Sequence, residues 1–233
     1  MTGRHDTPVT LGWMREGTAH LLRSADKLDD DAFAAPSALP GWTRAHVAAH
    51  VARNAEALTR LATWARTGVE TPMYADRAQR AAEIEESAVR PAETLRSELV
   101  STAEALDAAL DALTAEQWQA QVRSALGRAI PAAEIPWMRI REVWLHAVDL
   151  GAGASVADLP DGVVDLLLDD VTAALSGKDG CPAIRLVPAD RPGTWQLGTV
   201  PAERTVEAPA AVLAGWLTGR VRRADWPALP AWL

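Results

Sequence analysis

Two pairs of side chains, each spaced four residues apart, carry the chemical signal of this sequence: Glu142 with His146, and His46 with His50. Residues four apart on a helix stand on one face, so each pair can aim at a single point. Glu142 and His146 lie among Ile140, Val143 and Val148, where a carboxylate and an imidazole are costly to bury without partners. A metal ion supplies a partner; so does a simple Glu–His hydrogen bond at the helix surface. If the two helices face each other, one or both of His46 and His50 reach Glu142 and His146. Two histidines and one carboxylate with an open fourth position compose a catalytic zinc site, and the same set suits non-haem iron. Asp149, three residues beyond His146, is either a partner that orients a ligand or an alternative ligand. His5 and His20 have no such neighbours in sequence, so solvated or capping roles are expected. Cys181 is the single cysteine, which excludes an internal disulfide and a cysteine-based zinc site. It sits in a turn, Lys178 to Pro182, with no histidine near it, and reads as a small structural residue rather than a nucleophile.

These groups need elements to hold them. Thr7-Pro8 reads as a helix start, with Leu11, Met14, Leu21, Leu22, Ala25 and Leu28 at helical spacing. After the break at Leu39-Pro40-Gly41, Thr43 can cap a second helix carrying His46 and His50, and Gly68 is placed to end it. Asp76 opens a polar helix that runs to Arg90. Pro91 restarts a longer one with Leu95, Leu99, Leu106, Leu110 and Leu113 along a stripe. Trp118 to Pro136 reads as loop with a short extended piece near Ala129-Ile130. Pro136 then begins the helix of Glu142 and His146, which ends at Gly151. Residues 1–153 thus form a bundle of four main helices, and 154–233 a smaller α+β domain. The latter has a helix over Val163–Leu175, strands over Ala183–Val187, Thr194–Leu197 and Thr205–Glu207, a helix from Ala210, and a proline-rich strap from Trp226 to Leu233.

Composition narrows the classes. The 233-residue chain has a net charge of −8 and no basic stripe, a poor match to nucleic acid. No window approaches the ~20 apolar residues of a membrane span, and the polar N-terminus lacks the apolar core of a signal peptide. A cytoplasmic protein is the simplest expectation. Ten tryptophans against one tyrosine and one phenylalanine point to an unusual core, to indole-walled pockets, or to some of each, with Trp42, Trp137 and Trp144 nearest the histidine helices.

Three stretches carry a resemblance: Leu39–His50 (LPGWTRAHVAAH), Glu70–Tyr74 (ETPMY) and Trp137–Gly151 (WMRIREVWLHAVDLG). In this order they resemble the mycothiol-dependent maleylpyruvate isomerase family, over the whole chain. The resemblance implies a mainly α fold, with a DinB-like four-helix bundle and a C-terminal α+β domain akin to sterol carrier proteins. It implies His50, Glu142 and His146 as metal ligands with water as the fourth, and so selects His50 over His46. It also implies two arginines lining the site. Arg80, in Asp76–Arg80, and Arg220, in Thr218–Arg220, are the assignments, with Arg77, Arg222 and Arg223 as neighbours in contention. Zinc and the thiol cosubstrate mycothiol are the implied cofactors, and a small dicarboxylate is the implied substrate. The implied reaction turns maleylpyruvate into fumarylpyruvate, a step of gentisate-type aromatic catabolism. In it a metal-activated thiolate adds reversibly to the double bond. Two rivals use the same residues: a mycothiol S-transferase acting on another electrophile, and a non-catalytic thiol- or metal-binding module.

Overall fold

The structure, a computed structural model, describes residues 3–232; the first two residues of the N-terminus, and Leu233 at the end of the expected strap, lie outside it. The chain divides into two compact units, Met1–Ala154 and Ser155–Leu233.

The first unit holds α1 (Thr7–Asp26), α2 (Asp30–Ala34), α3 (Arg44–Thr67), α4 (Arg77–Ala88), α5 (Ala92–Asp111) and α6 (Ile135–Asp149). Four of these close a ring in which α1 packs on α6, α6 on α3, α3 on α5, and α5 on α1. Alanines at 45, 48, 49, 52, 55, 57, 62 and 65 of α3 are buried, and their small side chains let three other helices pack around it. Leu58 and Leu61 of α3, Leu99, Leu106 and Leu110 of α5, and Ile140 and Val143 of α6 fill the centre.

The helix ends follow local chemistry. The Thr43 hydroxyl accepts from the His46 N–H at the start of α3, and Gly68 closes α3 with φ at +73°, a conformation that costs residues with a Cβ. Asp76 caps α4 by accepting from the Gln79 N–H at 2.8 Å. Two elements went unforeseen. One is α2, whose five residues are too few for a helical period to show. The other is the pairing of the extended piece, which as β2 (Ala129–Pro131) forms an antiparallel hairpin with β1 (Gln121–Arg123).

The rotation and register of α6 decide where Glu142 and His146 point. Trp144, two residues from each and hence on the opposite face, donates its Nε1–H to the Trp13 carbonyl at 3.1 Å. It lies so close to α1 that a Cβ at Gly17 would stand 2.5 Å from Nε1. With that face held by α1, the opposite one turns to α3. At the end of α6, the Ala38 N–H donates to the Asp149 carbonyl at 2.9 Å, and Arg44 Nε donates to the Leu150 carbonyl at 2.7 Å. The start of α3 is thereby tied to the end of α6.

The second unit contains α7 (Asp161–Ser176), β3 (Ile184–Pro188), β4 (Trp195–Leu197), β5 (Arg204–Ala208) and α8 (Ala210–Leu217). The sheet order is β4-β3-β5. The β3–β4 pair is antiparallel, while β5 runs parallel to β3 with Ile184 opposite Arg204. Helix α7 packs on α8 and β4. Asp190 accepts from the Ala210 N–H at 2.9 Å, satisfying one of the free donors at the start of α8. Lys178 Nζ donates to the carbonyls of Ala231 and Trp232 at 2.6 and 2.8 Å, holding the expected C-terminal strap against the end of α7. The whole is mainly helical, with a small α+β unit, which is the expected fold class.

Candidate metal centre

Helices α3 and α6 bring His50, Glu142 and His146 together. His50 Nε2 lies 2.8 Å from Glu142 Oε2, and His146 Nε2 lies 3.1 Å from the same oxygen. One ligand atom from each residue lies within 4.8 Å of the other two. The imidazoles meet edge to face, centroids 4.8 Å apart. His50 is 4% exposed and His146 9%, while the Glu142 side chain keeps 23% of its surface open. Three converging donor groups with an opening at the carboxylate would suit a metal centre that keeps a free coordination position.

The neighbours set the proton positions. His146 Nδ1 donates to the buried Asp149 Oδ2 at 2.8 Å, which fixes the ring and aims Nε2 at Glu142, as second partners of metal-bound histidines do. Asp149 thus stands behind the His146 ring, outside the convergent set of His50, Glu142 and His146. On the other ring, Arg80 Nη2 stands 3.3 Å from His50 Nδ1. A guanidinium can only donate, so in the metal-free protein this nitrogen accepts and the His50 proton sits on Nε2, directed at Glu142; a metal ion on Nε2 would displace that proton. The edge of Trp42 closes the flank of His50, centroids 5.5 Å apart.

The titration behaviour follows from these contacts. Burial pushes the His50 imidazole below its ordinary value, more than Glu142 pulls it back. Burial also opposes charge on His146, but hydrogen bonds to Asp149 and Glu142 outweigh it and raise the imidazole. Burial would lift the Glu142 carboxyl, yet the two histidines hold it well below the usual carboxylate range. Two histidines driven in opposite directions around one ionised carboxylate mark a functional site more often than a structural one.

The chemistry of this donor set fits a divalent metal: two imidazole nitrogens and a carboxylate oxygen converge, and the basicity of one ring is supported by Asp149. His46 is placed elsewhere. It caps α3, with Nδ1 2.7 Å from Thr43 Oγ1, and its Nε2 faces Glu85 at 3.3 Å. His5 is solvent-exposed, as expected, and His20 is half-buried; both also have partners that sequence distance hides. His5 meets the buried carboxylate of Glu134 at 2.5 Å, and His20 stacks on Trp144 with centroids 5.2 Å apart.

Arg80 is half-buried, and among the described residues its side chain makes no hydrogen bond other than that to His50. Met73, within the α3–α4 connection, is buried, and its carbonyl accepts from Arg60 Nη1 at 2.5 Å. The neighbouring Tyr74 is also half-buried, and burial raises its phenol while Arg80 opposes the rise. Arg77 is exposed, as are Arg222 and Arg223. Arg220 belongs to the second unit, where Nη1 donates to the Thr218 carbonyl at 2.7 Å. Cys181 is in the second unit too, and burial pushes its thiol up, opposite to the shift of an activated nucleophile.

The sequence pattern of the mycothiol maleylpyruvate isomerase N-terminal domain matches residues 14–151. The chain belongs to this family. A solved structure of a mycothiol-dependent maleylpyruvate isomerase superposes with a TM-score of 0.92 at 34% identity, covering 100% of both chains. A histidine-to-alanine mutant of a mycothiol-dependent maleylpyruvate isomerase superposes at 0.91, again at 34% identity over 100% of both. YfiT from Bacillus subtilis, a four-helix bundle of unusual topology, covers 65% of this chain and 87% of its own, with a TM-score of 0.53 at 17% identity; this likeness concerns the fold alone. No curated protein matches the chain.

One part of this maleylpyruvate isomerase family member's centre had no forecast from sequence. Arg139, three residues before Glu142, is buried beneath the site and donates to α3. The available signal was an arginine on the same stripe of α6 as Glu142 and His146.

Proposed function

We propose that this chain is a mycothiol-dependent maleylpyruvate isomerase, which converts the cis alkene of maleylpyruvate into the trans alkene of fumarylpyruvate. The observation that carries the reading is the convergence of His50, Glu142 and His146, with Arg80 beside them, in a chain that matches such an enzyme over its full length. In this reading the first unit binds the metal and mycothiol, the second unit forms a separate α+β domain, and zinc is the metal.

Rotation about a carbon–carbon double bond is the barrier to overcome. Addition of the mycothiol sulfur to one alkene carbon makes that bond single and moves an electron pair onto the conjugated carbonyl oxygen as an enolate. After rotation the enolate collapses, the carbon–sulfur bond breaks, and the trans alkene leaves with the thiol regenerated. His50, Glu142 and His146 would hold the zinc, which when bound lowers a thiol's pKa from about 8.5 so that thiolate prevails at neutral pH.

The chain's own groups do the rest. Asp149 keeps the His146 proton on Nδ1, away from the ligand nitrogen. Trp42 shields the His50 flank from water, which strengthens charge interactions there. Arg80 has no carboxylate partner among the described residues, so its planar fork is available to a substrate carboxylate and to the developing enolate. Arg220 is proposed as a second carboxylate-binding arginine, a role that rests on the family pattern.

A spectroscopic assay of maleylpyruvate with and without mycothiol, together with elemental analysis of the wild-type protein and His50→Ala, tests this. The expected result is thiol-dependent formation of fumarylpyruvate and about one zinc per chain that is lost in the variant. Turnover that ignores the thiol refutes the mechanism. A stable thioether product in place of the trans acid identifies an S-transferase.

A further inference from the structure

Arg139 is a deeply buried cation of the first unit, 1% exposed. Its Nη1 donates to the Val51 carbonyl at 2.7 Å and to Asn54 Oδ1 at 2.9 Å. Both acceptors are neutral, and no carboxylate bonds to the guanidinium among the described residues. Its Nε is buried without a hydrogen-bond partner. Burial pulls the group down to about 10 even though Glu142 opposes the shift, so it stays charged at neutral pH. Burying a cation without a bonded counter-ion is expensive. A methionine would fill a similar volume without that cost, so the bonds made by the guanidinium are what distinguish the residue.

Those bonds have a particular place. Val51 and Asn54 follow His50 by one and four residues on α3, and Arg139 precedes Glu142 by three on α6. A rise of 1.5 Å per residue puts the link about 4.5 Å along α6 from Glu142. It therefore joins the turn of α3 that carries His50 to the turn of α6 that carries Glu142, next to the point where their side chains must meet. On the other side, Arg44 ties the start of α3 to the end of α6 through the Leu150 carbonyl at 2.7 Å. The ligand turns of the two helices are bracketed between these arginines. Metal–ligand distances tolerate only about 0.2 Å, so a small slip of α3 along α6 would spoil the set.

We propose that Arg139, with Asn54 as its acceptor, is a positioning residue that locks α3 to α6 in the register at which His50, Glu142 and His146 can bind one metal ion. The role rests on the metal-centre reading above, and it is separate from any contact with substrate.

The test is the dissociation constant for Zn²⁺, measured by competition with a chromophoric chelator at 25 °C. It is run on wild type, Arg139→Met, Arg139→Lys and Asn54→Ala, each shown to be folded by far-UV circular dichroism and its melting curve. Arg139→Met is expected to bind at least tenfold more weakly, Asn54→Ala about three- to tenfold more weakly, and Arg139→Lys, which keeps the charge and a donor, within about threefold of wild type. A merely structural arginine would lower the melting temperature and leave the zinc constant unmoved; that result overturns the proposal. Tighter zinc binding by Arg139→Met overturns it as well, because charge repulsion would then outweigh positioning. If Arg139→Met does not fold, an unchanged constant in Asn54→Ala is sufficient to refute it. A wild-type protein that binds no zinc instead overturns the metal-centre reading itself.

Discussion

Replacing Asp149 gives the sharpest test of how the centre is built, because its carboxylate holds the His146 ring from behind. Oδ2 lies 2.8 Å from His146 Nδ1, and Asp149 is 1% exposed, so no water replaces it readily. In Asp149→Ala the Nδ1–H is left in a buried site, at a cost of about 1–3 kcal/mol in stability. The ring also loses the contact that aims Nε2, which lies 3.1 Å from Glu142 Oε2. Loss of such a partner typically weakens metal binding about 10- to 100-fold, equivalent to roughly 1.4–2.8 kcal/mol. Asp149→Ala is expected near the upper end. Asp149→Asn, which keeps an acceptor oxygen but no charge, is expected near the lower.

The assay is zinc competition against a chromophoric chelator, paired with urea denaturation of metal-free protein at several pH values. Hydrogen bonds to Asp149 and Glu142 raise His146 in the folded state above the ordinary imidazole value of 6.5. That contribution to stability is fully present below 6.5 and disappears as pH rises through the raised value. The destabilisation by Asp149→Ala should therefore be larger at pH 6 than at pH 9. Unchanged zinc affinity in Asp149→Ala, with the protein folded, would refute the view that this carboxylate orients the ligand.

Four further outcomes are expected. Glu142→Gln removes a carboxylate that His50 and His146 keep ionised against burial; its metal-free form should be less stable than wild type at pH 7, with the gap shrinking as acid protonates the wild-type group. A gap that persists at acid pH in denaturation curves would contradict this. Arg80→Met should raise KM for the dicarboxylate about 10- to 100-fold, the worth of a lost charge-assisted pair, while elemental analysis finds zinc content unchanged. Gly17→Ala forces a methyl to within 2.5 Å of Trp144 Nε1 and should cost about 1–3 kcal/mol in urea unfolding; a neutral effect would mean that α1 is free to shift. Cys181→Ala should leave both the rate and its dependence on added thiol as in wild type, since burial raises that thiol; an inactive but folded variant would make Cys181 the nucleophile.

Local patterns in the sequence determined the main helices and the residues that could ligate a metal. Caps at Thr43 and Asp76, the stop at Gly68 and the leucine stripe of α5 are short-range signals, because each depends on backbone groups within a turn or two. The same range explains why Glu142 and His146 could be recognised as one face of a helix. It also explains why α2 and the pairing of β1 with β2 were missed, and why β5 could be read as a strand without its parallel direction.

Tertiary structure decided which groups meet. His46 and His50 have the same spacing logic, yet His46 is drawn into the cap of α3 while His50 crosses to Glu142, 92 positions away. That choice depends on the rotation of α6, set by Trp144 against Gly17, and on the tie between Arg44 and the end of α6. The proton position on His50 and the burial of Arg139 between the ligand turns both arise from contacts between helices. Short-range sequence encodes periodicity and capping; the register of one helix on another is written in side-chain packing, and it becomes legible only when both helices are in place.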